Sequence, residues 1–214
     1  MDTIERYKEL REAHKSLNTK LLDSLPVGSK GGSLFRTAAR ELGYQVKEGT
    51  IVFSSEGAVD RLYEFLLYEP RKSGKSVAEK FLETEHDLTP DEEMILQKAV
   101  QTEPSLFRLV EVNKQAAQVR LSDILSDRPE VLITDINMST TGRRGYLLFA
   151  RILETPNVTF SSGTAMVFPP EDEPLLLKKY HRLRRVKNPF LRSRKRFALF
   201  TAMQERSGIN IIYA

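Results

Sequence analysis

From Thr3 to Leu25 apolar residues recur at Ile4, Tyr7, Leu10, Leu17, Leu21 and Leu25, with Glu and Lys covering the positions between them. Gaps of three, four and seven predict an amphipathic helix. Pro26 and the run Gly28-Ser29-Lys30-Gly31-Gly32 break that period and predict a flexible hinge near 26–32. A second helix is expected to open with Ser33 as its N-cap, to carry Leu34, Phe35, Ala38, Ala39 and Leu42 on one face, and to stop at Gly43. Thr50 to Phe53 reads as a short strand. Ser55 caps a third helix bearing Val59, Leu62, Tyr63, Leu66 and Leu67, which Pro70 closes. A linker, Arg71-Lys72-Ser73-Gly74-Lys75, leads to a short helix over Ser76 to Leu82. Thr89-Pro90-Asp91-Glu92 is a capping box with proline at the first helical position, so a helix follows to about Thr102.

The pattern changes at Pro104. Leu106–Val112, Ala117–Leu121, Val131–Ile136, Tyr146–Leu153, Val158–Phe160 and Ala165–Phe168 are short, rich in branched and aromatic residues, and separated by turn formers. Such spacing predicts a small antiparallel sheet or a partly closed barrel. Beyond Pro169-Pro170 a helix is expected from Glu173 to Val186, and another from Phe190 to the stop at Gly208. The tail from Ile209 to Tyr213 reads as an edge strand. The expectation is an α+β fold: a mainly helical region over residues 1–103, and a β-rich module with basic C-terminal helices over 104–214.

Charge sharpens this picture. The 214 residues carry 33 Lys and Arg against 29 Asp and Glu, a net charge of +4. Ten of the basic residues fall between Lys178 and Arg196, where no acid occurs; without them the chain holds 23 basic against 29 acidic residues, a balance of −6. The isoelectric point near 9.2 therefore originates in one segment. A basic block on an acidic body points to an anionic partner. Lys178, Arg182 and Arg185 step by four and three along one helix face, and Arg192 with Arg196 repeats the stepping. Lys178, Lys179, Arg182, Arg185, Lys187, Arg192, Arg194, Lys195 and Arg196 are the candidate phosphate contacts, with Tyr180 and Phe190 as candidate stacking groups. Pairing of the same arginines with the acidic remainder, or with a protein partner, is the competing account.

Other chemistry has weaker support. There is no cysteine, which excludes disulfides and thiolate chemistry. No apolar run approaches the roughly 18 residues of a membrane span, and the charged start does not resemble a signal peptide. A cytoplasmic protein is expected. Gly74-Lys75-Ser76 resembles the end of a phosphate-binding loop, but Glu69 stands where the motif needs glycine. The glycine run before Ser33 could form an anion nest as well as a hinge. Glu111, Asp123, Asp127 and Asp135 lie on or near predicted strands, where convergence would allow a divalent metal; turn and capping roles are the plainer reading. His14, His86 and His181 are isolated and read as surface residues. No metal or other cofactor is expected.

Ordered short blocks carry a resemblance: Ala38-Ala39-Arg40-Glu41-Leu42-Gly43, Ile51-Val52-Phe53-Ser54-Ser55-Glu56, Phe65-Leu66-Leu67-Tyr68-Glu69, Leu88-Thr89-Pro90-Asp91-Glu92, Ser105 to Val112, Arg120 to Leu125, and Gly145 to Leu153. Over roughly residues 33–170 the chain resembles a group of uncharacterised bacterial proteins, some of which end in a zinc-binding motif like that of the SecA translocase. The resemblance implies a helical front and a small β module. It brings no catalytic residues, and without cysteine no zinc site carries over. The expected function is a non-enzymatic binding or regulatory protein that engages nucleic acid through its basic C-terminal helices. A protein–protein adaptor or self-associating subunit using the first amphipathic helix, and a metal-dependent hydrolase using Asp123, Asp127 or Asp135, are the alternatives.

Overall fold

The chain is described by a computed structural model over residues 2–26, 28–55, 57–71, 74–84 and 87–209. Helices α1 (Thr3–Asp23) and α2 (Gly28–Glu41) lead into a hairpin of β1 (Gln45–Lys47) and β2 (Thr50–Val52), followed by α3 (Gly57–Tyr68), α4 (Val77–Leu82) and α5 (Pro90–Gln101). Then come β3 (Ser105–Asn113), β4 (Gln118–Asp123), β5 (Val131–Thr134), α6 (Ile136–Thr141), β6 (Leu147–Ala150), β7 (Ile152–Glu154), β8 (Thr159–Ser161) and β9 (Met166–Phe168). A 3-10 turn at Pro170–Asp172 precedes α7 (Glu173–Leu183) and α8 (Pro189–Ser207). The fold is α+β, with an open antiparallel sheet in the order β5-β4-β3-β6-β9 and a separate β7–β8 ribbon.

Capping explains most helix starts. Ser76 and Thr89 form complete capping boxes with Glu79 and Glu92. Glu92 also accepts from Ser16 Oγ at 2.6 Å and Lys20 Nζ at 2.8 Å, so one carboxylate starts α5 and clamps it to α1. Gly43, at φ +87°, ends α2 with a bond from Tyr44 N back to Ala39 O, the left-handed stop its position predicts.

Several boundaries differ from expectation for identifiable reasons. The glycine run from Gly28 is the opening of α2 and not a break before it. Gly31 is buried there because a Cβ would lie 1.9 Å from the Pro26 carbonyl oxygen. The predicted strand over Val131–Ile136 stops at Thr134, since Asp135 accepts from Met138 N at 2.8 Å and caps α6, a helix the pattern did not reveal. The predicted strand Tyr146–Leu153 divides at Arg151, where the chain leaves the sheet for the ribbon. α7 ends at Leu183 and continues to Val186 only as single turns. Of the predicted terminal strand, Ile209 forms a bridge to Val167; residues 210–214 lie outside the described ones.

Both faces of the sheet are covered, and side-chain alternation sorts residues between them. Leu106, Leu147 and Phe149 enter a core with α2, α3, α7 and α8, centred on Phe65, Phe197 and Phe200. Phe149 stacks on Phe200 with ring centroids 4.1 Å apart. Phe107, Leu109, Leu148 and Ala150 face the other way, with Val119, Leu121 and Ile133. A third core joins α1, α4 and α5 to the β7–β8 ribbon through Leu10, Leu17, Leu21, Ile95 and Phe160. Two of the three cores thus contain residues from both sides of Pro104. The apolar face of α1 packs within the third.

The two neighbouring glycines test where α2 begins. Gly31→Ala should lower unfolding free energy by about 1–3 kcal/mol through its clash with Pro26. Gly32→Ala meets only the movable end of Arg36, and should be neutral or stabilising by up to about 1 kcal/mol. Equal, small effects in urea titrations would mean that the segment is not a packed helix.

Candidate functional site

The basic segment folds into a helical hairpin, and its charges separate into two groups by what lies within reach. Arg194, in α8, donates to Glu41 Oε2 at 2.6 Å and to the Pro70 carbonyl at 2.9 Å, and its guanidinium lies 4.4 Å over the Phe65 ring. Arg196 turns inward to Glu103 at 2.9 Å, although it stands one turn from the exposed Arg192. These two arginines fasten α8 to the helical layer.

The remaining basic residues of the segment are otherwise disposed. Lys178, Arg182, Arg184, Arg185, Lys187, Arg192 and Lys195 are exposed, and Lys179 is partly so. Among the described residues none of these eight has an acidic partner within 4.0 Å. They concentrate at the end of α7, in the connection to α8 and on the outer side of α8. The two candidate aromatics also separate. Tyr180 is partly buried, with its ring 6.5 Å from that of Phe200, whereas Phe190 is 45 % exposed beside an equally exposed Leu191.

A groove of about 540 Å³ runs beside these residues, lined by Glu41, Arg71, Phe190, Leu191, Arg194 and Lys195 among others. Arg71 belongs to a stretch whose sequence reads as a linker. Its backbone closes a tight turn with Gly74 and Lys75. Burial, and then the charge of Arg194, push its guanidinium below the ordinary arginine range.

Beneath this surface lies a buried ionic cluster that no motif announced. Arg151, 3 % exposed, donates through Nε to Glu64 at 2.8 Å, through Nη1 to the Ala99 and Thr102 carbonyls, and through Nη2 to Glu69 at 3.4 Å. Its guanidinium also sits 5.1 Å over the Tyr68 ring. Ser193 Oγ donates to the second oxygen of Glu69 at 2.6 Å, which ties α8 into the same network. Burial raises the Glu64 carboxyl above its usual range, although Arg151 opposes that shift. His14 is fully buried rather than on the surface, because α1 turns it inward against Phe160. Burial, with the charges of Arg11 and Arg151, lowers His14 from 6.5 to about 3, so it is neutral at ordinary pH.

The acids proposed for metal binding are dispersed. Asp123 accepts from Ser105, Leu125 N and Ser126, Asp135 caps α6, Asp127 is exposed, and Glu111 pairs with Arg120 at 3.3 Å. Among the described residues no three His, Asp or Glu side chains are placed to share a metal ion. Lys75 pairs with Glu83, and Ser76 caps α4, so neither is free to hold a phosphate; Ser73 and His86 lie outside the described residues. A second cavity, of about 360 Å³, lies against the sheet, with Tyr7, Arg11, Asp135, Met138, Tyr146 and Val167 in its wall. Burial, followed by the charge of Asp135, pushes the Tyr7 hydroxyl up to about 12. Among the described residues no helix is long and apolar enough to cross a membrane.

Residues 1–214 match the profile of a family of unknown function (DUF7986), and the chain belongs to that family. No curated protein and no solved structure matches it.

Two predictions concern the buried cluster. Arg151→Met strands two carboxylates in the interior and should cost about 3–5 kcal/mol in chemical denaturation; a loss below about 1 kcal/mol would mean that the network is not needed. For His14, the unfolded chain takes up a proton near 6.5 while the folded one resists until about 3. Its share of stability is therefore complete above 6.5 and is lost as the pH falls towards 3, by about 4–5 kcal/mol at the lower end. His14→Leu should flatten the pH 4–6.5 limb of the stability profile, and an unchanged limb would contradict the neutral, buried assignment.

Proposed function

We propose that this protein is a non-enzymatic nucleic-acid-binding protein that engages the phosphate backbone through the α7–α8 hairpin. The reading rests on one observation: eight basic side chains of this hairpin have no acidic partner among the described residues. Self-pairing, the competing account of the basic block, applies to Arg194 and Arg196 and leaves the other cations uncompensated. Contacts of this kind give affinity with little sequence preference. Phe190, exposed at the start of α8, supplies one stacking face, whereas Tyr180 serves the core. Arg182, Arg184, Arg185 and Lys187 form the leading edge, and Lys178, Arg192 and Lys195 extend it along the two helices.

Fluorescence anisotropy with labelled single-stranded oligonucleotides across a salt series tests this reading. Binding should be micromolar or tighter at low salt, with log K falling against log salt at about −2 to −4 for three to five phosphate contacts. Replacing Arg182, Arg184, Arg185 and Lys187 together by Glu should abolish it without loss of thermal stability, because none of the four is paired with an acid among the described residues. Absence of binding by the parent at low salt would end the proposal.

A further inference from the structure

The groove beside the hairpin contains a charge arrangement that the fold itself does not require. Arg71 is partly buried, makes no side-chain hydrogen bond or ion pair among the described residues, and faces the like charge of Arg194. Arg194 is already committed to Glu41 and the Pro70 carbonyl. Lys195 also lines the groove, so among the described lining residues three cations stand against the one carboxylate of Glu41. Partial desolvation and like-charge proximity both disfavour this arrangement in the empty groove. An anion placed between Arg71 and Lys195 would relieve both effects and receive charge-assisted hydrogen bonds.

The adjoining wall is of a different character. Phe190 and Leu191 are each 45 % exposed. The edge of the Phe190 ring lies 3.5 Å from the position a Cβ would take at Gly74, so the turn that carries Arg71 also braces the ring. At about 540 Å³ the groove falls in the roughly 300–1,000 Å³ range of small-molecule sites. It continues into a hollow of about 270 Å³ that shares Glu41, Arg71 and Arg194. A flat aromatic surface next to uncompensated guanidinium and ammonium groups fits a ligand with a planar ring at one end and a phosphate at the other.

We infer that this groove is a single-nucleotide subsite, with the base against Phe190 and the phosphate between Arg71 and Lys195. The inference deepens the nucleic-acid reading by giving the surface one defined nucleotide position beside its diffuse cationic edge. Arg71 is a phosphate contact that lies outside the basic block.

Isothermal titration of the full chain with adenosine 5′-monophosphate, adenosine and inorganic phosphate separates the two halves of the site. The mononucleotide should bind at least about five-fold tighter than either fragment, which corresponds to the lower end of one stacking contribution. Arg71→Gln should reduce it to the level of adenosine, and Phe190→Ala to that of phosphate. Neither change should shift the melting temperature appreciably, since the Arg71 side chain has no ion-pair partner among the described residues and Phe190 is exposed. Equal affinity for phosphate and mononucleotide, indifference to Arg71→Gln, or tighter binding of an acidic peptide than of the mononucleotide would each overturn the subsite. Mononucleotide binding of the expected kind without oligonucleotide binding would keep the subsite and defeat the strand-binding reading. Salt-dependent oligonucleotide binding without it would do the reverse.

Discussion

A guanidinium removed from water is tolerated only where its charge and its donors are met, and Arg151 meets that condition by drawing on two separate parts of the chain. It stands where the strand leaves the five-stranded sheet and enters the β7–β8 ribbon, so its backbone position fixes the corner between two layers. Its side chain reaches Glu64 and Glu69 at the end of α3 and the last carbonyls of α5. Those carbonyls are among the ones a helix C-terminus leaves without internal partners, and the arginine satisfies them where water cannot. Burial raises the Glu64 carboxyl against the pull of Arg151, with the charge of Glu69 adding to the rise, and Glu69 also accepts from the Ser193 hydroxyl. The buried network therefore ties α3, α5, the sheet corner and α8 to one another.

The position of the hairpin follows from that register. Ser193, Arg194 and Arg196 are consecutive or alternate on α8, and each reaches a different element: Glu69 after α3, Glu41 at the end of α2, and Glu103 after α5. With α8 held at three points, Phe197 and Phe200 insert beneath it against Phe149. The outer side of α8 and the connection to α7 remain in solvent. The basic segment is thus a structural clamp on its inner side and a free cationic surface on its outer side, and one run of sequence provides both.

Much of the fold was legible along the chain because its signals are local. The capping box at Thr89 and the left-handed stop at Gly43 each depend on residues a few positions apart. What was not legible depends on partners distant in sequence. The glycines at 31 and 32 read as a hinge because only Pro26, packed across the helix start, reveals that Gly31 is a close-contact residue. Asp135 could have been a strand residue or a cap, and only the bond to Met138 N decides. His14 read as a surface residue because it is polar and isolated, although it fills the gap between Leu10 and Leu17 on the apolar face, and the ribbon that covers it through Phe160 arrives nearly 150 residues later.

The candidate site divides along the same line. Composition located the basic block, and helical stepping grouped some of its members on one face, but neither could separate the exposed Arg192 from Arg196. Two arginines four apart share a helix face, and what distinguishes them is an acid from another element within reach of one side chain. Arg71 is the converse case: a residue in a polar stretch, unremarkable by pattern, that folding brings against Arg194 and that has no counter-charge among the described residues. Charge density in a sequence states how much anion-binding capacity is available, whereas the acids supplied by the rest of the fold decide how much of it is left over. In this chain the surplus lies on one edge of the hairpin and in the groove beside it.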